Sequence, residues 1–224
     1  MNTDPYDIRE FGVVELRRYL LKPGQRDVLI ELFDREFIEP QRDAGMPVIG
    51  GFRDDDHPNT FTWLRGFADM ESRRKALMAF YGGPVWEAHR NEANATMIDS
   101  DNVLLLTPVP IASGGNVDGQ APRTHIVTFH LARAATADEA AELGRHLGSA
   151  SGDTLAMLLV TLDAVNDFPA LPVRQGEHVL VAVLTRVADH AIQSDWCSAA
   201  ALLGDIVKSI EVFNLCPTRS ARAA

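Results

Sequence analysis

Val103, Leu104, Leu105, Leu106, Thr107, Pro108 is answered about 110 residues later by Val212, Phe213, Asn214, Leu215, Cys216, Pro217, an apolar strand closed by proline in both places. In a chain of 224 residues, that echo implies two copies of one structural unit. The unit is read most clearly in its first occurrence. Residues 13–21 alternate as a strand does, with Val14, Leu16, Arg18 and Leu20 on one face and Glu15, Arg17 and Tyr19 on the other. Pro23 and Gly24 break the pattern. Val28, Leu29, Leu32, Phe33 and Phe37 then recur at three- and four-residue spacings, which predicts an amphipathic helix with proline in its first turn and Gly45 closing it.

Residues 48–53 and 61–67 read as two strands joined by the turn residues Asp54, Asp55, Asp56, Pro58 and Asn59. Asp69 is a natural N-cap for a helix reaching Phe80, and Gly82, Gly83 and Pro84 stop that helix and start another carrying Trp86, His89 and Asn94. Residues 102–107 supply the last strand. The order strand, helix, strand, strand, helix, strand is the split unit of the ferredoxin-like fold. A Pro- and Gly-rich segment, 108–122, reads as a linker. Beyond it, 125–132, 136–147, 155–162, 178–187 and 197–207 repeat the order, and Arg186, Val187, Ala188, Asp189 echo Gly66, Phe67, Ala68, Asp69.

The predicted fold class is α+β, with tandem ferredoxin-like domains (βαββαβ twice) over residues 10–108 and 123–219. Each sheet carries helices on one face only, so its other apolar face needs cover, and pairing the two sheets into an α/β barrel provides it.

Composition narrows the partners. Twenty-one basic against 31 acidic residues give a formal charge of -10, and the longest basic run is Arg73, Arg74, Lys75, so nucleic acid is not expected. No apolar run approaches the roughly 18 residues of a membrane span, and residues 1–10 lack the marks of a signal peptide. Two cysteines, Cys197 and Cys216, fit a reducing, cytoplasmic setting.

Val14 to Tyr19, Gly51, Phe52, Arg53, the run Phe61 to Phe67, and Phe80, Tyr81 and Trp86 together resemble the NIPSNAP family over residues 13–108. The resemblance implies a dimeric α/β barrel, ferredoxin-like and often tandem, related to antibiotic-biosynthesis-type monooxygenases and other cofactor-free barrel enzymes. The second half departs from the pattern, with Leu180, Val183 and Thr185 in place of the aromatic and arginine positions. It reads as a degenerate partner domain, which leaves the pocket to the first.

The candidate catalytic residues are His89, Tyr81 and Arg65, and the candidate ligand-binding residues are Arg17, Tyr19, Trp63, Trp86 and Asn94. Two readings compete for each. Glu15, Arg17 and Arg65 form either an ion pair inside the barrel or an arginine fork free to hold a ligand oxygen. Trp63, Tyr81 and Trp86 are either core or pocket wall. His89, one helical turn past Trp86, is either a hydrogen-bonded rim residue or a proton carrier. No metal site is expected, because none of the histidines has metal-ligand spacing. No cofactor is called for, haem being the one group that a single histidine can hold. Serines and cysteines lack a paired base or nucleophile elbow. The functional expectation is a small hydrophobic or aromatic ligand in a first-domain pocket, with cofactor-free monooxygenase or isomerase/cyclase chemistry. The alternative is a non-catalytic binding or oligomeric assembly module, and a homo-oligomer is expected.

Overall fold

The computed structural model describes residues 7–111, 123–149, 154–186 and 196–218. Strands β1 (Val13–Leu21), β2 (Val48–Asp54), β3 (Thr60–Phe67) and β4 (Met97–Pro108) come from the first half. The second half supplies β5 (Arg123–Leu131), β6 (Thr154–Thr161), β7 (His178–Arg186) and β8 (Val207–Pro217). They close into one antiparallel barrel in the order β1-β3-β2-β8-β5-β7-β6-β4. Each half contributes the order fourth, first, third, second that the split unit requires. Both halves thus run βαββαβ, as expected. The sheets join at their edges: β2 pairs β8 through Phe52↔Pro217 to Asp54↔Leu215, and β4 pairs β6 through Leu106↔Thr161 to Pro108↔Leu159. Closure removes the edge strands that would otherwise invite further pairing.

Because side chains alternate along each strand, every strand has an inner and an outer face. The inner faces fill the barrel with Val14, Leu16, Phe52, Leu64, Leu106, Ile126, Met157 and Phe213. Arg18 shares that face and plugs one end, its guanidinium 3.7 Å from the Phe213 ring centroid and its Nη2 3.0 Å from Asp54 Oδ2. The outer faces are covered by helices: α1 (Arg26–Leu32), α2 (Ile38–Asp43), α3 (Met70–Tyr81) and α4 (Pro84–Thr96) over the first half, α5 (Ala137–Ser149) and α6 (Trp196–Leu203) over the second.

Local chemistry sets these helices. Asp69 accepts from Ser72 N at 2.7 Å and starts α3, and Gly45, at φ +87°, ends α2 as the left-handed residue. A Cβ on Gly83 would sit 2.7 Å from the Ala79 carbonyl oxygen, so the α3–α4 corner needs glycine for space. Pro23 does not open α1. Gly24 takes φ +76° in a separate turn and the helix begins at Arg26. Between α1 and α2 the helix widens into a π turn, Phe33–Phe37, just ahead of Pro40, whose ring cannot fit against the carbonyl four residues back in an ideal α-helix. That turn keeps both Phe33 and Phe37 inward.

Residues 112–122 of the expected linker, the Arg186–Asp189 echo beyond its first residue, His190, Ser113 and Ser151 lie outside the described residues.

Candidate functional site

Glu15, Arg17 and Tyr19 lie on the outer face of β1, opposite Arg65, Trp63 and Phe61 of β3 in the strand register. The ion pair expected inside the barrel is therefore outside it, sandwiched between sheet and helices. Alternation separated the two faces correctly, but both are buried, so polarity alone did not say which one met the helices.

The cluster is larger than its sequence signature. Glu15 Oε2 accepts from Arg17 Nη1 at 2.7 Å and Arg65 Nε at 2.8 Å, while Oε1 accepts from Arg73 Nε at 2.7 Å. Glu15, Arg17, Arg65 and Arg73 are each at most 1% exposed. Burial by itself would push the Glu15 carboxyl up, but the three guanidiniums around it hold it well below the usual carboxylate range. Arg17 moves the other way: desolvation opposes its charge, and Tyr19 and Glu15 more than offset this and raise it.

From this cluster two phenols reach outward. Arg17 Nε donates to the Tyr19 hydroxyl at 3.0 Å, and Arg65 Nη1 donates a long contact to the Tyr81 hydroxyl at 3.5 Å and another to Gln41 Oε1 at 3.2 Å. Burial raises the Tyr19 phenol above its ordinary value, Arg17 opposing, so it keeps its proton. Both rings border a cavity of about 560 Å³ together with Met78, Gly82, Trp86, Asn94, Met97, Ser100, Phe168, Ala170 and Leu171. This is within the range of small-molecule sites. Tyr81 packs edge-on against Trp86 at 4.9 Å and lies 6.0 Å from Phe168.

Phe168, Ala170 and Leu171 belong to the connection between β6 and β7, in the second half of the chain. That connection is fastened to the cluster: Arg73 Nη1 donates to Asp167 Oδ1 at 2.7 Å and to Asn166 Oδ1 at 3.2 Å. Asn166 in turn accepts from Phe168 N at 3.2 Å and donates to the Leu171 carbonyl at 2.9 Å, which fixes the wall of the cavity. The site that the sequence placed in the first domain is therefore completed by the second.

Of the anticipated residues, Tyr19, Tyr81, Trp86 and Asn94 line the cavity, and Arg17 and Arg65 stand behind its phenols. Trp63 is 1% exposed and borders only a deeper void of about 30 Å³ with Tyr19, Phe33 and Tyr81. It packs under Arg17 and Arg65, with their guanidinium carbons 5.6 and 5.2 Å from its ring. His89 borders neither space. It shares the Phe37 contact with Trp86 but turns to Glu36 (3.5 Å) and Glu92 (3.9 Å) at the helix surface. Among the described residues no histidine lines the cavity, so none of them is placed to hold a haem there. Among the described residues no group of three or more His, Cys, Asp or Glu is placed to hold a metal. No helix among them is long and apolar enough to cross a membrane.

The architecture defines the class first: an eight-stranded antiparallel α/β barrel of paired ferredoxin-like units, with its cavity between the outer sheet face and the helices. Within that class, residues 14–113 match the NIPSNAP family model, and this part of the chain is a NIPSNAP domain. Over nearly its whole length the chain is similar to a protein described as "putative monooxygenase" from Lactobacillus acidophilus NCFM, with a TM-score of 0.57 at 15% identity, covering 93% of this chain and 94% of the other. A second protein so described, from Fusobacterium nucleatum, gives 0.60 at 9% identity over 92% and 91%. At these identities the likeness is one of fold. An uncharacterized NIPSNAP-like domain protein from Burkholderia xenovorans is 28% identical over 43% of this chain and 84% of its own, with a TM-score of 0.40. No curated protein matches the chain in sequence.

Proposed function

We propose that this protein binds a small hydrophobic or aromatic molecule in the cavity between α3, α4 and the β6–β7 connection. The observation that carries this reading is the cavity itself: about 560 Å³, walled by Tyr81, Trp86, Phe168 and Leu171 and polar at the end where Tyr19 and Tyr81 meet Arg17 and Arg65. Aromatic walls supply apolar contact area, and a few convergent polar groups orient the ligand.

The chemistry on offer there is proton transfer at a phenol, with guanidiniums behind it to stabilise a developing oxyanion. A cofactor-free monooxygenase, isomerase or cyclase acting on a reactive substrate draws on these groups. Tyr81 and Tyr19 are the proton carriers in this reading, and Arg65 and Arg17 the polarising groups. His89, turned to the surface, is left out.

Equilibrium titration of small aromatic compounds, followed by quenching of tryptophan fluorescence, tests the site. Wild type is expected to bind in the micromolar range, and Ala170→Trp, which fills the cavity mouth, is expected to weaken binding by about tenfold or more. Equal binding by the filled variant would place the ligand elsewhere. No binding by either protein would leave the chain as an assembly module.

A further inference from the structure

Behind the inner end of the cavity lie more positive charge and more hydrogen-bond donors than the described residues have partners for. Arg17, Arg65 and Arg73 are buried beside two carboxylates, Glu15 and Asp167, which leaves one cation unmatched. The other polar side chains that accept from them, Gln41, Asn166, Tyr19 and Tyr81, bring no carboxylate. Arg73 Nη2 finds no hydrogen-bond acceptor among the described residues, and Arg65 Nη2 lies 2.8 Å from Glu15 Oε2 but off the line of a hydrogen bond.

The two phenols carry this surplus to the cavity wall. A hydroxyl has one proton to give, and Tyr19 and Tyr81 each already accept from an arginine. Neither hydroxyl proton has an acceptor among the described residues. An oxygen at the inner end of the cavity would thus receive two O–H donors, each polarised by the guanidinium behind it. A neutral ligand would leave the buried cation unbalanced, whereas an anion would balance it.

We propose that the ligand is an aromatic or similarly planar organic acid held as its anion, with the acidic oxygen accepting hydrogen bonds from Tyr19 and Tyr81. This rests on the reading of the cavity as a binding site. The shared chemistry is an anionic oxygen on a flat apolar body, whether phenolate, enolate or carboxylate.

Calorimetric titration of the full chain near pH 8 with 4-nitrophenol, 4-nitrobenzoate and 4-nitroanisole tests it. These probes share ring and nitro group and differ in the charge at the opposite position. One or both anions are expected to bind at least about tenfold more tightly than the anisole, the size of a hydrogen bond to a charged group. The anion that gains more identifies the source of the charge. Visible absorbance should show bound nitrophenol staying ionised to lower pH than free nitrophenol. Tyr19→Phe and Tyr81→Phe should each narrow the gap between anion and anisole. If the anisole binds as tightly as both anions, the acid assignment falls and the cavity stands. If all three fail to bind, the cavity reading falls with it.

Discussion

The two halves of the barrel build the same layer from opposite materials. Matching their hairpin ladders, β1 pairs β3 as Glu15↔Arg65, Arg17↔Trp63 and Tyr19↔Phe61, where β5 pairs β7 as His125↔Leu184, Val127↔Ala182 and Phe129↔Leu180. The neighbouring ladders agree, since Leu16↔Leu104 and Val14↔Leu106 answer Ile126↔Phe213 and Thr124↔Leu215. Three of the polar groups thus have an apolar counterpart: Arg17 becomes Val127, Tyr19 becomes Phe129 and Arg65 becomes Leu184. Glu15 is answered by His125, a buried imidazole 3.0 Å from Asn214 Oδ1. Under α5 and α6 Val127, Phe129 and Leu184 join an apolar core with Leu143, Leu147 and Leu203. At these matched positions the sheet–helix layer forms without a carboxylate–guanidinium cluster. Replacing buried ions by apolar groups of similar volume is often neutral or stabilising, so the presence of a carboxylate with three guanidiniums in the first half alone supports the proposal that this layer serves a ligand.

The sharpest way to break the comparison is to remove the one carboxylate that all three arginines share. Glu15→Gln leaves guanidiniums buried without their counter-charge, and a loss of about 3–5 kcal/mol is expected in urea unfolding. A loss below about 1 kcal/mol would show that the cluster is not one unit. The converse experiment turns the first half into the second. With Glu15→Leu, Arg17→Met, Arg65→Leu and Arg73→Met combined, the layer becomes apolar at similar volume. Stability should then hold or rise by about 1–4 kcal/mol, while binding of any aromatic anion is lost. The single changes will not sum to this result, because all four side chains share one network.

Much of this contrast was legible in the chain, and the missing parts have physical reasons. The echo of residues 103–108 in 212–217 reports strand order, because both copies occupy the same place in the barrel. Asp69 and Gly45 announce helix ends by local backbone chemistry. Arg73, by contrast, sits in a basic run that reads as a solvated face. Its spacing to Ala76, Leu77 and Phe80, all buried on α3, was the available sign that it points inward. Asn166, Asp167 and Phe168 gave no such sign. They lie in an irregular connection with no periodicity, and their partners Arg73 and Tyr81 stand more than 85 residues away in sequence.

Acid titration sharpens the comparison further. Glu15 is held below its ordinary value in the folded chain, so its contribution is complete above about pH 4.3 and fades as pH falls toward the folded value. For this one group the slope approaches about 1.4 kcal/mol per pH unit at its steepest. Urea midpoints measured from pH 5 down to pH 2.5 should therefore fall more steeply for wild type than for the fourfold apolar variant. Parallel curves would assign the acid sensitivity to other carboxylates.

The smallest effect concerns the seam between the halves. Asp167 is partly open to water, with a side-chain exposure of 27%, but its partner Arg73 is fully buried. Asp167→Asn keeps the shape and an acceptor oxygen while removing the charge, so a stability cost of about 1 kcal/mol is expected, smaller than that of Glu15→Gln because solvent screens one side of the pair. Ligand binding should suffer more than this cost suggests, since Asp167 and Asn166 together fix the connection that bears Phe168 and Leu171. Hydrogen exchange provides the check: amides of the β6–β7 connection should lose protection in Asp167→Asn while those of β5 and β7 keep theirs. Uniform loss across the second half would mean that Asp167 supports the barrel as a whole, and that the cavity wall is not separately latched to the charged layer.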